Sequence, residues 1–128
     1  MTTPDLARER FYLGTGYNPK GEEAQIYEIE GEDLGLIATA EVALAGYHAD
    51  EIIEEKNLPL KYAGYSHCFR KEAGAYGKYS KGLYRVHHFT KVEMFTLVHP
   101  DNSASMLEDL LAIEEKIYQG LEIPYQVV

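Results

Sequence analysis

Hydrophobic and polar residues are patterned most clearly in two runs near the middle of the chain, at residues 60–69 and 83–98. Both runs are rich in aromatic residues, and the second run also contains β-branched residues, a composition typical of β-strands. We predict that the two strands pair as a hairpin, because consecutive strands are commonly neighbours in a sheet. The linker between them is far longer than the roughly two to five residues of an ordinary hairpin loop, which favours a functional loop.

Strand alternation sorts the side chains of this hairpin onto two faces. One face of the second strand is polar and aromatic, with Arg85, His87, Phe89 and Glu93. The other face is apolar, with Val86, Val92 and Met94. Arg70 and Glu72 share a face at the end of the first strand. Pairing is expected to gather two arginines, two glutamates and an aromatic ring on one surface, which suits a charged, ring-bearing ligand such as a nucleotide.

The clearest helix is predicted between residues 100 and 121. Apolar residues recur there at helical spacing, at Met106, Leu107, Leu110, Ile113, Ile117 and Leu121. Ser105 and Glu108 have the spacing of a capping box, and Gly120 lies near the predicted end. We expect the apolar stripe to pack on the back of the sheet and residues 122–128 to form a final strand.

The first part of the chain carries weaker signals. Residues 1–10 allow a short helical turn after Thr3, with Pro4 at its first position. Residues 11–23 contain enough glycine and proline to predict a loop.

Two short strands and a helix are predicted next. The strands cover residues 25–30 and 34–38 and flank a glycine-containing turn. Residues 42–48 fit a helix, with Thr39 as its N-cap, and the acidic residues 50–56 are expected to continue it.

Length and charge limit the possible functions. A chain of 128 residues fits one domain with one core. The formal net charge of −9 opposes nonspecific binding to nucleic acid, so any such contact must be local, through a lysine-bearing loop. The single cysteine, Cys68, excludes an intrachain disulfide and fits a reducing cytoplasm. No apolar run approaches membrane-spanning length, so no membrane partner is predicted.

The arginines of the hairpin allow two interpretations. Arg70 and Arg85 are placed to grip a phosphate or carboxylate with a planar guanidinium. Equally, they are placed to form structural ion pairs with Glu72 and Glu93. Charge alone does not decide between these alternatives.

Other residues of the hairpin also carry candidate chemistry. Phe89 is either a core residue or a platform on which a base stacks. Glu41 and Glu93 are candidates for holding an ammonium group. His87 and His88 point to opposite faces of a regular strand, and the spacing of His48, Asp50, Glu51 and Glu54 matches no known ligand pattern. No protein metal site is therefore predicted.

Several segments together resemble the catalytic core of seryl-tRNA synthetases, which are class II aminoacyl-tRNA synthetases. The segments are Thr39-Ala40-Glu41, Phe69-Arg70-Lys71-Glu72-Ala73-Gly74, the GKYSKGLYR loop, Val86-His87-His88-Phe89 and Lys91-Val92-Glu93. The FRKEAG and RVHHF elements are similar to motif 2 of that family. The resemblance runs from about Phe11 to the end of the chain, and this order and spacing of motifs is highly specific.

The resemblance implies an α+β fold: part of the class II synthetase fold, with a mainly antiparallel sheet and flanking helices. It also implies the reaction, in which ATP activates serine to seryl-adenylate and the seryl group passes to tRNA(Ser). The implied ATP-binding residues are Arg70, Lys71, Glu72, Arg85, Val86, His87, His88 and Phe89, of which Arg70 and Arg85 are catalytic. The implied serine-binding residues are Thr39, Ala40, Glu41 and Glu93.

Within these sets the resemblance assigns individual roles. Arg70 would contact the α-phosphate, Glu72 the adenosine portion and Arg85 the phosphates or pyrophosphate. Phe89 would stack on adenine. The 74–82 loop would approach the acceptor end of tRNA, and Mg²⁺ would be held mainly by phosphates and by residues outside this chain. His88 departs from the family pattern, in which glutamine is common at this position.

The resemblance further implies that residues 1–128 form one domain that is a fragment of a catalytic domain. Motif 1, which builds the homodimer interface of the complete enzyme, and motif 3 are absent from it. Two alternatives remain open. One is a non-catalytic module that binds ATP or an adenylate, and the other is a ligase that charges an acceptor other than tRNA.

Overall fold

The computed structural model describes residues 1–17, 25–72 and 85–128. The strands are β1 (Leu6–Ala7), β2 (Gly35–Leu36), β3 (Leu60–Phe69) and β4 (His88–Leu97). The α-helices are α1 (Glu9–Gly14), α2 (Ala40–Gly46) and α3 (Ser103–Gly120), and short 3-10 turns occupy Glu55–Asn57 and Pro100–Asn102. The chain divides into two compact units, one of Met1–Ile52 and Tyr62–Phe95, the other of Ile53–Lys61 and Thr96–Val128.

The N-terminal segment is a strand followed by a helix, so the predicted helical turn after Thr3 is wrong. β1 pairs antiparallel with β2, and Leu6 lies opposite Leu36. These long-range backbone hydrogen bonds outweigh the local preference for a turn. α1 begins where the backbone N–H of Glu9 donates to Asp33 Oδ1 at 3.1 Å. The loop predicted for residues 11–23 is therefore wrong up to the end of α1, and its residues 18–23 lie outside the described part.

The first unit has a small core beneath this two-stranded sheet. Its buried cluster consists of Ala7, Tyr12, Ile26, Ile37, Ala38 and Val42, with Phe11 and Tyr17 packed against it. The short strands predicted at residues 25–30 and 34–38 contract to β2 and a single bridge between Glu28 and Gly35. Gly35 is required here by close packing, because a Cβ would lie 2.7 Å from a methyl carbon of Ile26.

Thr39 caps α2 as predicted. Its Oγ1 accepts from the backbone N–H of Glu41 at 3.4 Å, satisfying one of the unpaired donors at the helix start. The expected continuation of the helix through residues 50–56 is wrong. Asp50 has a φ of 66°, a left-handed conformation that ends helical propagation, and only the 3-10 turn at Glu55–Asn57 follows.

β3 and β4 form the second two-stranded, antiparallel sheet. The predicted bounds of β3 are confirmed, whereas β4 begins at His88, later than predicted. Arg85 and His87 therefore precede the strand, and Arg70 and Glu72 follow β3, so strand alternation does not place these four side chains. Within β4, Phe89, Lys91 and Glu93 are half-buried, whereas Val92 from the predicted apolar face is 67% exposed.

α3 confirms the predicted helix, but not its cap or its packing. Ser105 Oγ donates to the Asn102 carbonyl at 3.0 Å, so Ser105 lies in the first turn and is not the N-cap. Met106 is buried, but four other members of the predicted apolar stripe are exposed: Leu107, Ile113, Ile117 and Leu121. Residues 122–128 form no strand. Among the described residues, no helix has the length and apolar character needed to cross a membrane.

Candidate active site

Arg70 occupies the point where β3 ends. Its backbone N–H donates to the His87 carbonyl at 3.0 Å, which joins the FRKEAG segment to the RVHHF segment. Its side-chain Nε donates to the Ala38 carbonyl at 3.2 Å. The guanidinium carbon lies 5.2 Å from the centre of the Phe89 ring, within cation–π range. Arg70 is therefore held in one orientation by a backbone carbonyl and an aromatic face.

The residue after Ala38 starts a second cluster of polar contacts. Thr39 is fully buried, and its hydroxyl donates to Glu93 Oε2 at 2.8 Å. Lys91 Nζ donates to the same hydroxyl oxygen at 3.1 Å and also forms an ion pair with Glu93 Oε2. Ala38 and Thr39 are adjacent in the chain. Arg70, which lies over Phe89, therefore bonds to one residue of this segment, and the Lys91–Glu93 pair bonds to the next.

Glu72 and Arg85 form a close ion pair between Glu72 Oε2 and Arg85 Nη1. The Glu72 side chain is 13% exposed and that of Arg85 34% exposed, so the pair is partly shielded from solvent. Glu72 has a φ of 51°, in the left-handed region. Of the two interpretations of the arginines, the ion pair thus holds for Arg85. Among the described residues Arg70 has no carboxylate partner.

His87 lies just before β4 and contacts Tyr27 and Arg70, instead of sharing the β4 face predicted for it. Its Nδ1 lies 2.7 Å from the Tyr27 hydroxyl and 3.0 Å from the Arg70 carbonyl oxygen. Lys71 Nζ lies 5.9 Å from the centre of the same Tyr27 ring, and the Lys71 backbone N–H donates to the Gln25 carbonyl. These contacts fix the segment that follows β3 against residues 25–27.

His88 has different partners. Its ring stacks on that of Phe69, with 4.8 Å between centroids and 4° between planes. Its ring also contacts that of His67, at 5.5 Å between centroids, and His67 Nδ1 is 3.3 Å from both carboxylate oxygens of Asp5. Val86 is 42% exposed.

The remaining predicted site residues lie in the first turn of α2. Ala40 is fully buried and Glu41 is half-buried. The predicted nucleotide and serine sets are thus brought together at Arg70, Phe89, Thr39 and Glu93, whereas Glu72 and Arg85 form a separate pair. The 74–82 loop predicted to approach tRNA lies outside the described residues.

Sequence reasoning missed one member of the site, Lys91. The strand pattern does indicate Lys91, because residues 89, 91 and 93 lie on the same face of a strand. The pattern alone does not mark Lys91 as special, because a lysine near a glutamate on a strand usually forms an ordinary surface pair. Only the tertiary fold brings the Thr39 hydroxyl next to the ammonium group of Lys91.

Most of the chain matches the model of a known protein family. The model of the tRNA synthetase class II core domain (G, H, P, S and T) matches residues 25–128. The chain is 62% identical over 126 residues to the serine–tRNA ligase of Dictyoglomus thermophilum, covering 98% of this chain and 30% of that protein. It is 61% identical to that of Rubrobacter xylanophilus over the same shares. The chain thus spans 30% of the length of these curated relatives.

Solved structures agree with this assignment. The seryl-tRNA synthetase from Pyrococcus horikoshii, complexed with ATP, superposes with a TM-score of 0.87 at 47% identity, covering 98% of this chain and 28% of that one. The cytoplasmic serine–tRNA ligase from Naegleria fowleri, in complex with AMP, gives a TM-score of 0.85 at 38% identity, with 98% and 27% covered. The expected α+β fold and the resemblance to seryl-tRNA synthetases are confirmed, and the chain belongs to the class II tRNA synthetase core domain family.

Proposed function

We propose that this chain forms the motif 2 part of the catalytic core of a seryl-tRNA synthetase and contributes to its ATP and serine sites. One observation carries the proposal. Arg70, assigned to the nucleotide, bonds the Ala38 carbonyl, and Thr39, assigned to serine, bonds Glu93 from the next position. The two sets of residues therefore meet across one peptide unit, where a serine carboxylate and an α-phosphate have to meet.

On the nucleotide side, Arg70 binds the α-phosphate with its terminal guanidinium nitrogens, since its Nε is already bonded to Ala38. Phe89 stacks on adenine, Glu72 contacts the adenosine portion and Arg85 the phosphates. Glu72 and Arg85 are bonded to each other in this structure, so ATP has to compete with their ion pair. Four further residues border the nucleotide: Lys71, Val86, His87 and His88.

The proposed chemistry begins with attack of a serine carboxylate oxygen on the α-phosphorus. A new phosphorus–oxygen bond forms, the bond to the bridging oxygen breaks, and pyrophosphate leaves. A ribose hydroxyl of tRNA then attacks the seryl carbonyl and AMP leaves. The first step needs no general base because the carboxylate is already ionised. It needs alignment and neutralisation of phosphate charge, which a fixed arginine supplies.

On the serine side, Glu41 and Glu93 accept hydrogen bonds from the ammonium and hydroxyl groups, and Thr39-Ala40 forms the adjoining wall. A site built to bond a hydroxyl group rejects analogues that lack it, because its own polar groups are then left unpaired. This gives discrimination against alanine.

We also propose that Mg²⁺ binds together with ATP and is held mainly by its phosphates and by residues outside this chain. Within residues 1–17, 25–72 and 85–128, no three His, Cys, Asp or Glu side chains group as metal ligands. Glu72 and Glu93 are moreover bonded to Arg85 and Lys91. These residues do not fit a protein-built metal cage. The proposal also includes a cytoplasmic location, a homodimeric complete enzyme and approach of tRNA to the 74–82 loop.

The test measures binding and turnover separately. We expect the chain to bind ATP and a non-hydrolysable seryl-adenylate analogue in calorimetry, and to catalyse serine-dependent ATP–pyrophosphate exchange. Arg70→Ala should weaken both ligands by about tenfold or more, since hydrogen bonds to charged groups contribute about 1.5–3 kcal/mol. Arg10→Ala is the matched control, because Arg10 also lies over an aromatic ring, that of Phe11, but outside the site.

Each result discriminates among the functions considered. Failure of the wild-type chain to bind either ligand contradicts the proposal. ATP binding without exchange indicates a non-catalytic module. Exchange followed by transfer of labelled serine to an acceptor other than tRNA identifies the alternative ligase.

A further inference from the structure

We propose that Lys91 is a positioning residue of the serine site: with the Thr39 hydroxyl, its ammonium holds one carboxylate oxygen of Glu93, so that the other oxygen receives the ligand. The inference rests on the proposed function, because it concerns the same site. It goes further by assigning a task to a lysine that has no role in the proposed chemistry.

The geometry of three side chains carries the inference. Thr39 Oγ1 donates to Glu93 Oε2 at 2.8 Å, Lys91 Nζ donates to Thr39 Oγ1 at 3.1 Å, and Lys91 pairs with Glu93 Oε2. The Lys91 side chain is 35% exposed and that of Glu93 23%, while Thr39 is fully buried. A lysine ammonium seated between a buried hydroxyl and a partly buried carboxylate is more ordered than one in a surface pair, which contributes little.

Counting donors and acceptors assigns a role to each atom. A threonine hydroxyl has one proton, and here it is committed to Glu93. Its lone pairs accept from Lys91 and from the backbone N–H of Glu41. Glu93 Oε2 therefore already has two partners, whereas Oε1 has none among the described residues. Oε1 is the atom that remains to accept from an incoming ammonium or hydroxyl group.

The charge balance of the proposed serine site also supports a role for Lys91. Glu41 and Glu93 would place two negative charges around a ligand that carries a single ammonium group. The ammonium group of Lys91 offsets one of these carboxylate charges. The site is then left with one net negative charge, which matches the single positive charge of the ligand's ammonium group. Without Lys91, Glu93 would lose a bonded cation and one of the two groups that fix its rotamer.

The inference predicts a specific coupling between two residues. If Lys91 acts by holding Glu93, its loss should matter only while Glu93 is a carboxylate. The effect of Lys91→Met on binding of the seryl ligand should then disappear in a Glu93→Gln background, because residues in one hydrogen-bonded network are non-additive. A lysine that merely supports the fold would give the same loss in either background.

The experiment compares four proteins by calorimetry: the wild type, Lys91→Met, Glu93→Gln and the double variant. The probes are ATP and the pair of seryl-sulfamoyladenosine and sulfamoyladenosine, of which the last two differ only in the seryl group. We expect Lys91→Met to weaken seryl-sulfamoyladenosine about tenfold, a typical consequence of losing one charged contact, while the affinity for ATP stays within about twofold. Lys91→Arg, which keeps the charge, should restore most of the affinity. Lys61→Met is the control, at an exposed lysine of the neighbouring strand.

Retained ATP affinity shows that Lys91→Met is folded, so the result is interpretable without a separate stability measurement. Equal losses for ATP and the seryl ligand, or additive losses in the double variant, would overturn the role of Lys91. A wild-type chain that binds ATP but gains nothing from the seryl group would overturn the serine site and, with it, this inference. A wild-type chain that binds none of the probes would overturn the proposed function itself.

Discussion

At the scale of single residues, one atom can serve both the fold and the site. Thr39 Oγ1 accepts from the backbone of Glu41 as a helix cap and donates to Glu93 within the proposed serine site. The cap follows from threonine chemistry at a helix start. The second contact depends on a partner 54 residues away along the chain. Helix formation and site geometry are therefore coupled at this residue.

Phe89 provides a test of base stacking at the same scale. Replacement by leucine keeps an apolar side chain but removes the π face, and base–aromatic stacking contributes about 1–3 kcal/mol. Phe89→Leu should therefore weaken ATP about fivefold to a hundredfold in calorimetry, while inorganic tripolyphosphate, which has no base, binds as before.

Phe11→Leu is the matched control for this prediction, since the guanidinium carbon of Arg10 lies 4.5 Å from the centre of the Phe11 ring, but Phe11 packs against the core of the first unit. Equal weakening of ATP and tripolyphosphate by Phe89→Leu would indicate a distorted phosphate site instead of lost stacking.

At the scale of elements, tertiary pairing decided what the local sequence left open. Leu6–Ala7 became a strand because Gly35–Leu36 lies beside it, although the preceding Thr3-Pro4 favours a helical turn. Thr39 and the apolar spacing of residues 103–120 gave correct helix predictions, because caps and helical periodicity are local properties.

The sheet formed by β1 and β2 predicts an asymmetry between two glycines. At Gly35 a Cβ would lie 2.7 Å from Ile26 and 2.9 Å from Tyr12, both buried, so Gly35→Ala should lower the free energy of unfolding by about 1–3 kcal/mol. At Gly14 nothing lies within 4 Å, so Gly14→Ala should be neutral or stabilise by up to about 1 kcal/mol. Urea denaturation measures both, and similar values for the two variants would show that the packing around Gly35 yields easily.

At the scale of the whole molecule, charge and core are linked through Tyr12. The chain has a net charge of −9, and Tyr12 lies in the core of the first unit, 2% exposed. Burial raises the pKa of the Tyr12 hydroxyl above its ordinary value, and the nearby carboxylates of Glu9, Glu28 and Asp33 raise it further. The folded chain therefore favours the neutral phenol.

This raised pKa predicts a loss of stability in alkali. Above the unfolded-state pKa of about 10, the unfolded chain releases the phenolic proton while the folded chain retains it. The contribution of Tyr12 is fully present below that pH and is lost as pH rises through the folded-state pKa. Urea denaturation between pH 8 and 11 should show a smaller decline for Tyr12→Phe than for the wild type. Tyr47→Phe, at an exposed ring, controls for loss of a phenol, and an equal decline in all three proteins would contradict the assignment.

The sequence by itself determined the long strand β3, the helix α3, the cap at Thr39 and the family, since period, caps and motifs are read from neighbouring positions. Tertiary structure alone decided that Leu6–Ala7 is a strand, that Arg85 pairs with Glu72, and that Lys91 meets Thr39 and Glu93. Such contacts depend on the path of the chain: Lys91 and Thr39 are 52 residues apart, and no local pattern specifies which distant hydroxyl an ammonium will find.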